Sequence, residues 1–445
     1  MSADRRPVTL ALCAGYFLVL LDVTVVNVAL PRIGADLDAG SAGLAWVVDA
    51  YAVPLAALLL ASGAVGDRLG HRDVVILGFL GFGAASLLCA LAPSIAVLVA
   101  ARAVQGVGAA LMLPGTLALL VEDVADERAR ARLVGTWAAI GGAALPAGPV
   151  VGGLLVQAAG WRAVFWLGVP VIAAALVPVV RLPRTRTDAR AGTPVDRLGA
   201  GLLVTGLTCT VTAILESTSS PWTAGPLAAA AVCVLGAFVA VERRTPHPLL
   251  PVPRAARRPL ARACAVAGLM NLCTLGTLFL LTQVLQDVRG LSALSAGLVT
   301  LPAMLPLPLL GAPAGRLAAR IGVGRTSALG LAVAAAGLAG HAAGINTEGD
   351  LVLGLALVAW GTGLGILTPA VVAAALRATP QTPGLASGAS NTSRQTGGAL
   401  GIAVFAAVAG SAAGPRFLAH TTALLLGAAA VFAGTALLGV RAADR

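Results

Sequence analysis

The chain has 445 residues, 58% of them hydrophobic and 11% charged, with a formal net charge of +11 and a mean hydropathy of +0.92. A water-soluble domain carries roughly 25% charged residues, so the composition excludes a soluble globular fold and indicates an integral membrane protein. Apolar runs of about 20 residues, long enough to cross ~30 Å of hydrocarbon as a helix, recur along the whole chain. Alternating segments of about 10 residues, expected for a membrane β-barrel, are absent. The expected class is an all-α polytopic membrane protein.

In chain order, membrane spans are predicted at 8–30, 42–64, 74–92, 95–121, 132–157, 161–181, 198–216 and 224–241. Six more follow at 261–285, 293–315, 325–344, 350–376, 384–410 and 418–440, fourteen in all. The opening "MSADRRPVTLALCAGYFLVLLDV" has an apolar run too long for a signal peptide and contains Asp22, so it reads as the first span. The span at 384–410 carries the polar stretch "ASGASNTSRQTGG" and makes sense only if it faces other helices or water.

All 30 basic residues are arginine. Without lysine there is no Walker A site for ATP and no lysine Schiff base. With a cytoplasmic N-terminus, 24 arginines fall in inner loops and tails, whereas Arg32, Arg162, Arg289 and Arg416 lie outside. Arg102 and Arg394 lie within spans. This is a strong positive-inside pattern, which a missed span would scramble, and it puts both termini in the cytoplasm. The net positive charge therefore belongs to the inner membrane face, and no nucleic-acid partner is expected.

Two Pro- and Arg-rich inner loops, 181–197 and 242–259, bracket one pair of spans and leave six spans on either side. The expected organisation is an N-terminal six-helix half (1–181), two additional helices with their flanking loops (182–260), and a C-terminal six-helix half (261–445). An internal repeat supports it. "GAVGDRLG" (63–70) follows the second span, and "GRLAARIG" (315–322) follows the second span of the last six. Gly63, Arg68 and Gly70 align with Gly315, Arg320 and Gly322 at an offset of 252 residues. Repeated halves are a hallmark of transporters.

The six cysteines (Cys13, Cys89, Cys209, Cys233, Cys264 and Cys273) lie in apolar segments without CxxC spacing and read as buried small hydrophobes, with no metal site expected. His71, His247, His341 and His420 are scattered, without the nucleophile–base or metal cluster an enzyme needs. No loop exceeds about twenty residues, too short for the soluble domain of a sensor.

Charges within the spans carry the chemistry. Asp22 lies ~21 Å along the first span, while Asp49 and Arg102 lie ~10 Å below the outer end of theirs, at 1.5 Å per residue. The three depths agree within a ~30 Å core. Intramembrane charges are costly and face a cavity or one another. One reading is a structural ion pair holding helices together. The other is a proton site, since burial raises and an arginine lowers a carboxylate's proton affinity, and small rearrangements swing it across neutral pH. Gln105 and Gly106 share a face with Arg102. Gly148 and Gly152 form a small-xxx-small face, while Pro146 and Pro149 permit bending. Asp67, beside Arg68 and Arg72 at the inner surface, is expected to form a cytoplasmic latch. Asn271, Gln283, Asn391, Arg394 and Gln395 either line a cavity or bond between helices. Glu216 and His341 sit near outer ends.

Six motifs in order carry a resemblance to the major facilitator superfamily. "GAVGDRLGHR" resembles its loop between helices 2 and 3, "RAVQGVGAALMLP" (102–114) its helix 4 motif, and "GGAALPAGPVVGG" (141–153) its antiporter motif. "LDVTVVNVALP", "WVVDAYAVPLAALLL" (46–60) and "SGASNTSRQTGGALG" (387–401) are similar to the 14-helix drug:proton antiporter branch. His71 departs from the usual loop, where a basic residue is common, which makes the latch charge somewhat pH-dependent.

The resemblance implies a major facilitator fold of two six-helix halves plus two extra central helices. It implies proton coupling through Asp22, Asp49 and Arg102, and a cytoplasmic gating loop of Gly63, Asp67, Arg68, Gly70 and Arg72. Pro146, Gly148, Pro149, Gly152 and Gly153 would form the antiporter-motif helix, lining the interface between halves and restricting ion leak. Asn27, Gln105, Asn271, Asn391 and Arg394 are candidate cavity residues. The expected protein is a proton-coupled exporter of small amphipathic drugs in a bacterial cytoplasmic membrane. Its coupling ion is the proton, it needs no cofactor, and its partners are a small-molecule substrate and the bilayer. A monomer is the expected functional unit. A proton-coupled importer on the same fold is the alternative; the helix 5 motif argues against it.

Overall fold

The computed structural model describes residues 6–443 apart from 123, 125, 184–195, 218–219, 247, 250–251, 253, 348–349 and 380–382. Among the described residues there is no strand. The helices are α1 (Arg6–Leu37), α2 (Ser41–Leu69), α3 (His71–Ala90), α4 (Ile95–Val121) and α5 (Glu127–Ala159). Next come α6 (Arg162–Val180, broken at Leu167), α7 (Arg197–Glu216) and α8 (Pro221–Arg244). Then follow α9 (Arg257–Gln283, continued by a π turn Val284–Val288) and α10 (Ala293–Ile321, broken at Leu305). The last are α11 (Val323–Gly344), α12 (Asp350–Ala378), α13 (Pro383–Ala409) and α14 (Phe417–Ala443).

Among the described residues, 13 helices are long and apolar enough to cross a membrane. The remaining one, α13, has 27 residues, and its first half is the polar stretch that sets it apart by composition. Its polar groups are tolerated because α13 packs along α9.

The chain forms two compact units, Met1–Pro251 and Val252–Arg445. In the first, α3 packs on α4, α2 on α4, α1 on α5 and α3 on α6. In the second, the same pairings recur eight helices later: α11 on α12, α10 on α12, α9 on α13 and α11 on α14. The α7–α8 pair belongs to the first unit, with α7 against α2. The repeated loops match in backbone detail. Gly70 (φ 93°) and Gly322 (φ 89°) both adopt the left-handed region that glycine enters without a Cβ clash. Each caps the preceding helix through its N–H, to Gly66 O at 2.9 Å and to Ala318 O at 3.1 Å. Cβ atoms at Gly63 and Gly315 would both meet open space.

Several boundaries differ from the sequence expectation. α1 does not stop before Pro31 but runs to Leu37, ending where Asp38 takes φ 49°. The extra turns are held by tertiary bonds: Trp161 Nε1 and Arg162 Nη1 donate to Asp36 Oδ2 at 2.9 and 2.6 Å. Arg162 Nη2 also donates to Ala92 O at the end of α3, at 3.1 Å. Arg289 plays the corresponding part in the second unit, donating to Gly344 O at the end of α11 (2.6 Å) and to Asp350 (3.2 Å). Two of the four arginines predicted outside are thus clamps on helix ends. The cysteines are also less uniform than expected. Cys13, Cys89 and Cys273 are buried, Cys209 and Cys264 half-buried, and Cys233 exposed. A small apolar thiol suits a face turned to acyl chains as well as a core.

Candidate functional site

The first unit concentrates its polar chemistry around Arg102, which is fully buried at 0% exposure. It sits on α4, where Gly106, one turn on, lets α4 approach α2 so closely that a Cβ there would collide with the Tyr51 carbonyl. A buried guanidinium is costly unless acceptors and counter-charges are aimed at its donors. Nη1 donates to Asp22 Oδ2 at 2.5 Å and to Gln105 Oε1 at 2.7 Å, and Nε donates to Val47 O at 2.8 Å. Nη2 has no hydrogen-bond partner among the described residues. The cation lies over the Tyr51 ring (4.3 Å to its centroid), with Phe165 of α6 at 5.8 Å. Tyr51 is itself fixed by donating to Val19 O of α1 at 3.1 Å.

Gln105 extends the network. Its Nε2 donates to Asp22 Oδ1 at 3.2 Å and to Ser86 Oγ of α3 at 2.9 Å. Cys89 Sγ donates weakly to Gln105 Oε1 at 3.8 Å. Gln105 thereby joins Asp22 of α1 and Ser86 of α3 to α4, while Val47 and Tyr51 bring in α2. A small cavity adjoins Asp22, bounded by Leu18, Phe82, Ser86, Gln105, Val164 and Phe165. It offers water centres about 10 Å³, enough for about one molecule.

Of the two acids expected at the depth of Arg102, Asp22 pairs with it and Asp49 does not. Val47 and Tyr51 face α4, and Asp49, two residues from each, is turned ~200° away from them at 3.6 residues per turn. Asp49 is buried at 0% exposure, and neither carboxylate oxygen has a hydrogen-bond partner among the described residues. Asn27 is buried one turn beyond Asp22's neighbours and spends its amide on Val23 O at 2.6 Å.

The glycine–proline helix α5 runs unbroken through Pro146 and Pro149. Gly148 and Gly152 face α1: a Cβ on Gly148 would collide with Thr24, and one on Gly152 would lie 2.9 Å from Val25 Cγ2. Gly153 is also buried. The motif thus seats α5 against the stretch of α1 that follows Asp22.

In the second unit, a Cβ on Gly397 or Gly401 of α13 would collide with the carbonyls of Gly268 or Leu272 of α9. Ser393 Oγ donates to Cys264 O at 2.6 Å on the same seam. Asn391, Arg394 and Gly398 share a neighbouring face at i, i+3, i+7 spacing. Asn271 Nδ2 lies 3.7 Å from where a Gly398 Cβ would sit. Gln283 is buried and donates to Phe279 O at 3.3 Å. His341, near the end of α11, is fully buried, hydrogen-bonded through Nδ1 to Gly337 O at 2.8 Å and edge-on to Trp360. Gly337 permits this burial by letting α11 pack against the Trp360 backbone.

In the first turn of α3, Arg72 donates to Asp73 Oδ1 and to Val180 O at the end of α6, both at 2.5 Å. The side chains of Asp67 and Arg68 lie outside the described residues, so the expected latch contact does too. Sequence reasoning missed Tyr51, Ser86, Cys89 and Phe165. Tyr51 was within a recognised motif, whereas Ser86 and Cys89 carry no sequence signal beyond polarity in an apolar helix.

Comparison with known proteins agrees with this architecture. The sequence profile of the Major Facilitator Superfamily matches residues 12–402. The chain is 35% identical over 427 residues to the methylenomycin A resistance protein of Streptomyces coelicolor, covering 94% of this chain and 90% of that one. It is 35% identical over 422 residues to the tetracenomycin C resistance and export protein of Streptomyces glaucescens, covering 92% and 77%. Among solved structures it resembles the peptide transporter POT in complex with sulfate (TM-score 0.70, 17% identity, 99% and 94% covered). It also resembles the human organic anion transporter MFSD10 (TM-score 0.66, 18% identity, 99% and 100% covered). Helix content, repeated units, buried arginine network and sequence relatives agree: the chain belongs to the major facilitator superfamily.

Proposed function

We propose that this protein is a proton-coupled antiporter that exports small amphipathic drugs or antibiotics across a bacterial cytoplasmic membrane by alternating access. The observation that carries the reading is the Arg102–Asp22–Gln105 network, a titratable carboxylate held by a permanent cation inside a transporter fold. Resistance and export in the names of the relatives support the outward direction. The arginine distribution supports a cytoplasmic location for both termini.

In this reading Asp22 exchanges its proton when its bond to Arg102 opens or closes. Asp49, without a hydrogen-bond partner among the described residues, is the second carboxylate, satisfied by a proton or by a cationic group of the substrate. Asn27, Asn271, Asn391 and Arg394 line the substrate path, and Gly63 to Arg72 form the cytoplasmic gate. The two six-helix halves (1–181 and 261–445) move as the alternating bodies, with 182–260 an added helix pair. No cofactor beyond the proton is required, and a monomer suffices. Drug accumulation by inverted vesicles tests the reading. Accumulation should require an imposed pH gradient and collapse with a protonophore; uptake indifferent to both would overturn it.

A further inference from the structure

The second unit carries a groove of about 770 Å³ between α11 and α14. Its floor is alanine: Ala328, Ala332 and Ala336 recur every four residues on α11 and meet Ala429 and Ala433 of α14. Methyl side chains at this spacing leave a flute along a helix, and Leu329 and Leu437 border it. The helices are antiparallel, tied at the far end by Asn346 Nδ2 donating to Thr422 Oγ1 at 2.9 Å. From Arg325 to Ala339 the groove extends ~21 Å at 1.5 Å per residue. One bilayer leaflet contributes ~15 Å of hydrocarbon.

The lining excludes two fillers. Water finds no polar partners along an alanine floor. A void forfeits the dispersion contacts of every methyl that borders it. A hydrocarbon chain satisfies both constraints. The polar end says what that chain is attached to. Arg325 is the single charged lining residue, and exposed Arg316 and Arg320 lie at the same end of the unit, on the last turns of α10. The described acids of the second unit, Asp287 and Asp350, lie at the opposite end, where Arg289 binds Asp350. Basic pockets between spans on the cytoplasmic side recognise anionic headgroups. Arg325 already has an interaction within the chain, and its five donors leave capacity for a phosphate oxygen.

We infer that the α11–α14 groove holds a resident anionic phospholipid, its acyl chain on the alanine floor and its phosphate on Arg325. The rival occupant is a second copy of the chain, since small-residue flutes also dimerise helices. A two-fold dimer through this groove brings the same basic ends together at one level, a like-charge arrangement that disfavours it.

Native mass spectrometry of the full chain in mild detergent tests the site, with dioleoyl phosphatidylglycerol and dioleoyl phosphatidylcholine as competing probes. The wild type should retain phosphatidylglycerol in preference. Arg325→Gln, an exposed change, should lower that preference about fivefold. Ala332→Leu with Ala433→Leu fills the groove from its exposed side and should release the lipid while thermal unfolding stays unchanged. Equal retention of the two lipids, retention insensitive to the filled groove, or a dimer that the filling dissolves would each overturn the inference.

Discussion

Arg102 has five N–H donors, and three of its bonds are accounted for by Asp22, Gln105 and the Val47 carbonyl. The geometry depends on a planar fork stacked on Tyr51, which a lysine ammonium does not reproduce. Arg102→Lys should therefore abolish coupled transport even though charge is kept. Arg102→Ala leaves Asp22 buried without its cation and should cost about 3–5 kcal/mol of stability, measured by thermal unfolding in detergent. Asp22→Asn keeps the shape and the Gln105 contact but removes titration. It should insert and fold normally, yet release no protons when substrate is added to reconstituted vesicles; undiminished release removes Asp22 from the coupling path. Because Asp49 faces away from Arg102, Asp49→Asn should leave the Arg102 network intact. A pH profile for this variant that matches Asp22→Asn would contradict their separation.

Helix pairs are joined at backbone contact. Gly148 and Gly152 seat α5 on α1, and Gly397 and Gly401 seat α13 on α9, eight helices later. No side chain fits these seams without moving a helix. Gly148→Val should therefore destabilise the protein by about 1–3 kcal/mol or more through overpacking. Gly427→Val on α14, where a Cβ meets open space, should be neutral or stabilise by about 0.3 kcal/mol, because valine has the higher helix propensity. Equal melting temperatures for the two variants would show that the α1–α5 seam can yield. The seam also bears on function, since Thr24 and Val25 follow Asp22 by two and three residues. Displacing α5 shifts the stretch of helix that aims the carboxylate.

Across the whole molecule, the repeated loops are equivalent in backbone and unequal in charge. Gly70 and Gly322 share one conformation, whereas Asp67 aligns with Ala319. If the acid holds the cytoplasmic gate, the first loop must do most of the holding. A charge-assisted contact of this kind contributes about 1–3 kcal/mol, enough to move a near-balanced equilibrium roughly ten- to hundred-fold. Asp67→Asn should shift the resting state toward inward-facing, and Ala319→Asp should do little. Cysteine accessibility from the cytoplasmic side reports the shift in a background lacking the six native cysteines. Equal labelling of Asp67→Asn and its parent would remove the latch.

Length, hydropathy and arginine placement were sufficient to reveal the fourteen-helix plan, because a bilayer imposes helix length and charge asymmetry directly on composition. Depth along the helices was sufficient to bring Asp22 and Arg102 to one level, since axial rise is a property of the local backbone. Rotation about each axis and the neighbours it selects are tertiary properties. The pairing of Arg102 with Asp22, the turning away of Asp49, the burial of His341 and the recruitment of Ser86 and Tyr51 all depended on them. The extension of α1 through Pro31 has the same origin. A proline ends a helix by local preference, but Trp161 and Arg162 bind Asp36 beyond it, and those bonds exist only once α6 is packed against the end of α1.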